Sequence, residues 1–283
     1  MLSTFIIALR EGLEAALIVG ILVAYLVKTG RKALLAPLWT GVALAILASL
    51  GTGAFLTITS TELSPRGEEF FAGTTSFVAV ALVTWMVFWM KRTARHLKGH
   101  LEGQLSTAIL GGPIALAGAA FFAVVREGLE TSLFIYANFK TVSSTPSATV
   151  GLLLGLSLAV ALGYLIYRSS IKINLGKFFT YTGVALVVVA AGVLSYGIHE
   201  YQELGWLPGP DAFVWDVTPW IAKESLLGGV LAGTIGFDTT TSWLQLAAWS
   251  LYLGVVLYLY LKPSAPKKPK GNVSDKTTPV VAA

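Results

Sequence analysis

The chain has 283 residues, 55% of them apolar and only 12% charged, with no Cys and a formal net charge of +5. Its mean hydropathy is +0.72, and its charged share is about half that of a soluble domain, which excludes an ordinary soluble enzyme or binding module. The absence of Cys excludes disulfides, thiolate metal ligands and iron–sulfur clusters.

A run of about 20 apolar residues spans a bilayer core. Seven such runs occur, at Leu2–Val27, Leu34–Thr59, Phe70–Met90, Ile109–Phe139, Thr149–Tyr167, Phe178–Ile198 and Leu244–Leu261. The first does not read as a cleaved signal peptide: it lacks a basic lead, is too long, and has acidic residues at its heart. The connections around Lys28, Arg31 and Lys32, around Lys91, Arg92, Arg95 and Lys98, and around Arg168, Lys172 and Lys177 are basic, as is the tail from Lys262. The alternate connections are acidic, with Glu62, Glu68 and Glu69 in one and Glu200, Glu203, Asp211, Asp216, Glu224 and Asp238 in another. Lys and Arg mark the cytoplasmic side, so an odd number of spans with the N-terminus outside and the C-terminus inside is expected. The positive surplus is thus a topology signal and not a nucleic-acid surface. Residues 1–262 read as one transmembrane domain, and 263–283 as a disordered, Pro- and Lys-rich cytoplasmic tail able to touch anionic membrane lipid.

The pentapeptide Arg-Glu-Gly-Leu-Glu occurs twice, at Arg10 to Glu14 and at Arg126 to Glu130, each inside a long apolar run. A charge near the bilayer centre costs about 2.5–3.5 kcal/mol on insertion scales, and each copy places three there. The copies are 116 residues apart, Arg10 to Arg126, with three spans per interval, so the second crosses in the opposite sense. The expected fold is therefore an all-α membrane protein of seven transmembrane helices. It comprises a 3+3 inverted repeat (about 1–92 and 107–203) plus an extra C-terminal helix at about 244–261. Transporters of this architecture bind substrate near the midplane, where the halves meet.

On a helix, positions i and i+3 share a face, which pairs Glu11 with Glu14 and Glu127 with Glu130. Four carboxylates around one point suit a hard, oxygen-seeking cation. Arg10 and Arg126 balance part of the charge when the site is empty. Gly12 and Gly128 lack a Cβ and permit close helix contact, which leads us to expect the two glycine faces against each other. A plainer reading makes each motif a self-neutralising i,i+4 salt bridge, but it leaves Glu11 and Glu127 unexplained. A proton-coupled carrier of organic cations is a further alternative, although aromatic residues do not cluster around the motifs.

A second acidic set, Glu68, Glu69, His199, Glu200 and Glu203, lies at the expected outer surface, either as solvated helix ends or as a mouth that concentrates cations. Trp206, Trp215 and Trp220 read as interface anchors; His96 and His100 read as solvated. His199-Glu200-x-x-Glu203 superficially resembles a zinc-hydrolase helix, but Glu replaces the second His.

The doubled motif in the first and fourth runs resembles the oxidase-dependent iron permeases, fungal and bacterial, over nearly the whole chain to about Lys262. Gly197–Pro208 and Gly229–Tyr252 are similar to that family's sixth-span ending and last-span entry. The resemblance implies high-affinity iron uptake through a bacterial inner membrane, with ferric iron the expected cargo. Glu11, Glu14, Glu127 and Glu130 would be its permeation ligands. It implies no permanent cofactor, and an oxidase or iron-delivery partner outside the cell; lead and manganese are alternative cargoes.

Overall fold

In the computed structural model the described residues are 1–93, 103, 106–141, 145–168, 174–220, 228, 231–232 and 235–262. Among them seven long helices follow in chain order: α1 (Leu2–Lys28), α2 (Leu35–Glu62), α3 (Pro65–Thr93), α4 (Gly112–Thr141), α5 (Thr145–Tyr167), α6 (Leu175–Glu203) and α7 (Trp243–Leu261). Six of them, α2 to α7, are long and apolar enough to cross a membrane. The other, α1, has 27 residues, but Arg10, Glu11 and Glu14 interrupt its apolar run. The His96 and His100 segment and the tail after Lys262 lie outside the described residues.

Small residues set the packing. Gly151 of α5 meets the Met1 carbonyl, Gly155 meets Ala8, Gly12 of α1 meets Leu156 and Ala159, and Gly163 meets Ala16. The numbers climb together, so α1 and α5 run parallel. In the same way Gly41 of α2 meets Ala117, Gly128 of α4 meets Ser49, and Gly53 meets Ser132, so α2 and α4 are also parallel. Close approach of backbones at such seams replaces the hydrophobic drive that lipid cannot supply. Between the two pairs, α1 and α4 run antiparallel. Ser3 Oγ donates to Asn138 Oδ1 at 2.8 Å near one end, and buried Leu22 and Leu26 share a core with Leu116 and Ala120 near the other. Each of the first two helices therefore finds its main partner beyond α3. The expectation that Gly12 and Gly128 face each other is corrected: each glycine admits a parallel neighbour, which leaves the α1–α4 face to larger side chains.

The third contact joins α3 and α6, where Gly73 meets the Tyr201 ring and Gly197 meets Ser76. The last helix lies antiparallel to α6. Tyr260 donates its hydroxyl proton to the Phe179 carbonyl at 3.0 Å, and Gln245 Nε2 donates to the Ser195 carbonyl at 3.3 Å. Lys91 Nζ donates to the Tyr260 carbonyl, and to that of Lys262 at 3.0 Å, which brings the ends of α3 and α7 together.

The architecture is all-α apart from one short connection. Between α6 and α7 the chain forms a two-stranded antiparallel sheet, β1 (Phe213–Asp216) with β2 (Thr240–Ser242), pairing Trp215 with Thr241 and Asp216 with Thr240. Bulky and β-branched residues favour that pairing, and it satisfies backbone groups that apolar surroundings would leave bare. Buried Gln202 anchors the connection: its Nε2 donates to the Pro208 carbonyl at 2.8 Å, and its Oε1 accepts from Ser242 Oγ at 2.9 Å. Ser242 and Gln245 then close a capping box on α7. Gly236, at φ +69°, lies against the backbone of Gly192. At 1.5 Å per residue, Gly192 is roughly 16 Å along α6 from its C-terminal end. The Ile235 carbonyl accepts from Trp249 Nε1 at 2.9 Å, so this stretch descends into the bundle.

A methyl group at Gly128 would collide with Ser49 Oγ and come within 2.7 Å of Ser49 Cβ, whereas one at Gly20 would meet nothing within 4 Å. Gly128→Ala is expected to lower stability by about 1–3 kcal/mol, the usual range for overpacking. Ser49→Gly should recover it and Gly20→Ala should be silent, as read by thermal unfolding in detergent.

Candidate metal centre

The doubled motif lies where α1 and α4 cross. Carboxylate oxygens of Glu11, Glu14 and Glu127 all fall within 4.8 Å of one another, and all three residues are buried. Antiparallel crossing makes this possible, since α1 presents its i,i+3 pair, Glu11 and Glu14, to the point where α4 presents Glu127. Glu11 Oε2 and Glu127 Oε2 are buried without a hydrogen-bond partner. Unpaired buried carboxylate oxygens are costly, and the Arg10 Nε donor beside them is buried without a hydrogen bond as well. Glu130 lies outside the group of three: one oxygen accepts from Arg126 Nε at 3.1 Å, and its Oε2 is buried and unpartnered.

The two arginines differ. Arg10 is fully buried, with Nη1 2.7 Å from Glu11 Oε1 and Nη2 3.0 Å from Glu14 Oε1. Met86 Sδ also receives an Nη1 hydrogen bond, and the Phe179 ring lies 6.0 Å from the guanidinium carbon. Among the described residues Arg126 pairs with Glu130 alone, and its side chain is 45% exposed against 15% for Glu130. It lies over the Trp89 ring at 4.4 Å. The i,i+4 salt bridge of the plainer reading thus exists in both copies, yet it accounts for neither Glu11 nor Glu127. Among the described residues Glu127 makes no ion pair.

The outer acidic set is brought partly together. Glu68 pairs with Lys140 at 2.8 Å, and His199 Nε2 lies 3.9 Å from Glu203 Oε1. Glu69, His199 and Lys140 lie near Glu200, as does Tyr196 one turn before it on α6. Of the tryptophans read as anchors, Trp206 and Trp220 are exposed. Trp215 instead stacks on Phe237 at 5.9 Å and donates to the Asp238 carbonyl. Sequence reasoning missed Met86, Phe179 and Trp89. Nothing in the spacing of α3 or α6 singles them out, since they meet the motifs only through tertiary packing.

The chain matches the iron permease FTR1 family model over residues 1–268. It is 38% identical over 267 residues to the ferrous iron permease EfeU of Escherichia coli O6:H1 (strain CFT073), covering 93% of this chain and 96% of that one. To the ferrous iron permease EfeU of Yersinia pestis it is 36% identical over 266 residues, covering 93% and 94%. No solved structure matches it.

The unequal settings of the two arginines give a direct expectation. Arg10→Met strands two buried carboxylates and should cost about 3–5 kcal/mol. Arg126→Met removes a half-exposed partner and should cost no more than about 1 kcal/mol. Paired thermal melts of the purified variants measure the difference.

Proposed function

The chain belongs to the iron permease FTR1 family, and on that premise we propose that it carries iron inward across a bacterial inner membrane, binding it at Glu11, Glu14, Glu127 and Glu130. The family and its relatives are permeases, which makes this a multi-pass membrane transporter and not a hydrolase. The carrying observation is the buried group of Glu11, Glu14 and Glu127, with their oxygens within 4.8 Å. Four Glu against two Arg leave a formal charge of two negative units, which a multivalent cation would balance. An all-oxygen donor set favours a hard ion, and we propose ferric iron as the cargo. The relatives are named as ferrous iron permeases, so uptake into proteoliposomes with and without a reductant, against lead and manganese, decides the ion. As its partner we propose an extracytoplasmic oxidase or iron-delivery protein.

The proposal counts α1 as a seventh span, with the N-terminus outside. The basic ends of α3 and α7, joined through Lys91, support this, and so does Glu68 near the opposite end. The parallel pairing of α1 with α5 and of α2 with α4 supports an inverted repeat. Glu68, Glu69, His199, Glu200 and Glu203 then form the outer mouth.

Glu11→Gln and Glu127→Gln keep shape and remove charge, so they should insert normally and lose iron uptake at least tenfold. Removing Arg10 together with Glu14 should also abolish uptake; wild-type transport in that double variant would mean the carboxylates serve only as salt-bridge partners.

Neutralising Glu69 and Glu200 should weaken apparent affinity at low salt more than maximal rate. The effect should fade toward physiological ionic strength, where screening acts within about 8 Å. An equal loss at every salt concentration would instead indicate a fixed binding site.

A further inference from the structure

The carboxylate cage is sealed along the α1–α4 axis. Beyond it on one side lie the Ser3–Asn138 hydrogen bond and buried Ile7, Phe134 and Ala137. On the other lie buried Ile18, Leu22, Leu116, Ala120 and Val124. The members that reach the surface are Arg126 and Glu130, at the lightly packed margin between α3 and α4. Phe122 and Leu129 flank them on α4, 72% and 41% exposed. A charge halfway along a spanning helix faces a bundle interior or a water-filled cavity, because lipid would penalise it. The exposed Arg126 therefore marks a hydrated corner. Trp89 lies only two residues before Lys91 and Arg92, whose basic end is the cytoplasmic one on the reading above.

We propose that Trp89 and Arg126 form the latch of the inward exit, with Trp89 as a positioning residue. The indole face holds the guanidinium at the rim by a cation–π contact at 4.4 Å, where it engages one oxygen of Glu130. The other oxygen of Glu130 is buried and unpartnered and is free to receive the departing cation. Without the ring, the uncompensated Glu127 draws Arg126 into the cage. A tethered cation then occupies the place of the transported one, much as Arg10 already occupies one side of it.

This rests on the iron-cage reading, and the test separates the two. Radio-iron uptake is measured in proteoliposomes for Trp89→Leu, Trp89→Phe, Arg126→Gln, the Trp89→Leu/Arg126→Gln pair, and Glu127→Gln. Trp89→Leu should raise the half-saturating iron concentration about tenfold by internal competition, and Trp89→Phe should recover most of that loss. In the Arg126→Gln background Trp89→Leu should add nothing. A Trp89→Leu variant that behaves as wild type, or one that loses as much without Arg126, overturns the latch. Wild-type uptake by Glu127→Gln overturns the cage itself. Because the chain has no Cys, Phe122→Cys gives an independent readout. A membrane-impermeant maleimide should label it from the cytoplasmic face; labelling only from the outer face, or from neither, refutes a hydrated inner corner.

Discussion

Three carboxylates and one guanidinium share a volume closed to solvent, and the rest of the architecture is arranged around tolerating them. The interior strengthens every Coulomb interaction and raises the cost of every unpaired charge. Arg10 answers part of that cost by reaching two glutamates at once, while Glu127 is left without a counter-ion among the described residues. On the proposal above, that residual negative charge is what a transported cation would balance.

Bringing Glu11, Glu14 and Glu127 within 4.8 Å of one another takes two long helices crossing antiparallel with their bulky faces inward. The glycines make room on the other side. Gly12 lets α5 lie close against α1 and Gly128 lets α2 lie close against α4, so each motif helix is backed by a parallel neighbour. Ser132 adds a hydrogen bond from its hydroxyl to the Ser49 carbonyl at 2.8 Å. The motif therefore encodes two things in five residues: carboxylates on one face, and clearance for a supporting helix on another.

Much of this was legible in the chain. Apolar runs located the helices, and the doubled pentapeptide located the buried carboxylate cluster, because charge inside such runs is too costly to be incidental. The facing of Gly12 and Gly128 was misread because a missing Cβ announces a close neighbour without saying which. Trp89 and Met86 were invisible for a related reason: a Trp and a Met among apolar residues of α3 look like lipid or core contacts until a partner 37 or 76 positions away arrives, Arg126 or Arg10. The connection after α6 read only as an acidic, Trp-bearing link between spans, since its packing on α6 depends on one glycine meeting another, Gly236 on Gly192, with no periodic signal to betray it.

The exchange of partners between halves bears on how the protein is made. Translation delivers α1 and α2 well before α5 and α4, so each emerges without the neighbour that will back its glycines. During that interval the three charged side chains of α1 have no α4 to bury them. Neither half is a separable folding unit, and an interrupted chain ending after α3 would present unfilled seams and a bare charged helix to the quality-control proteases of the membrane. Biogenesis, more than the finished fold, is where these charges are most exposed.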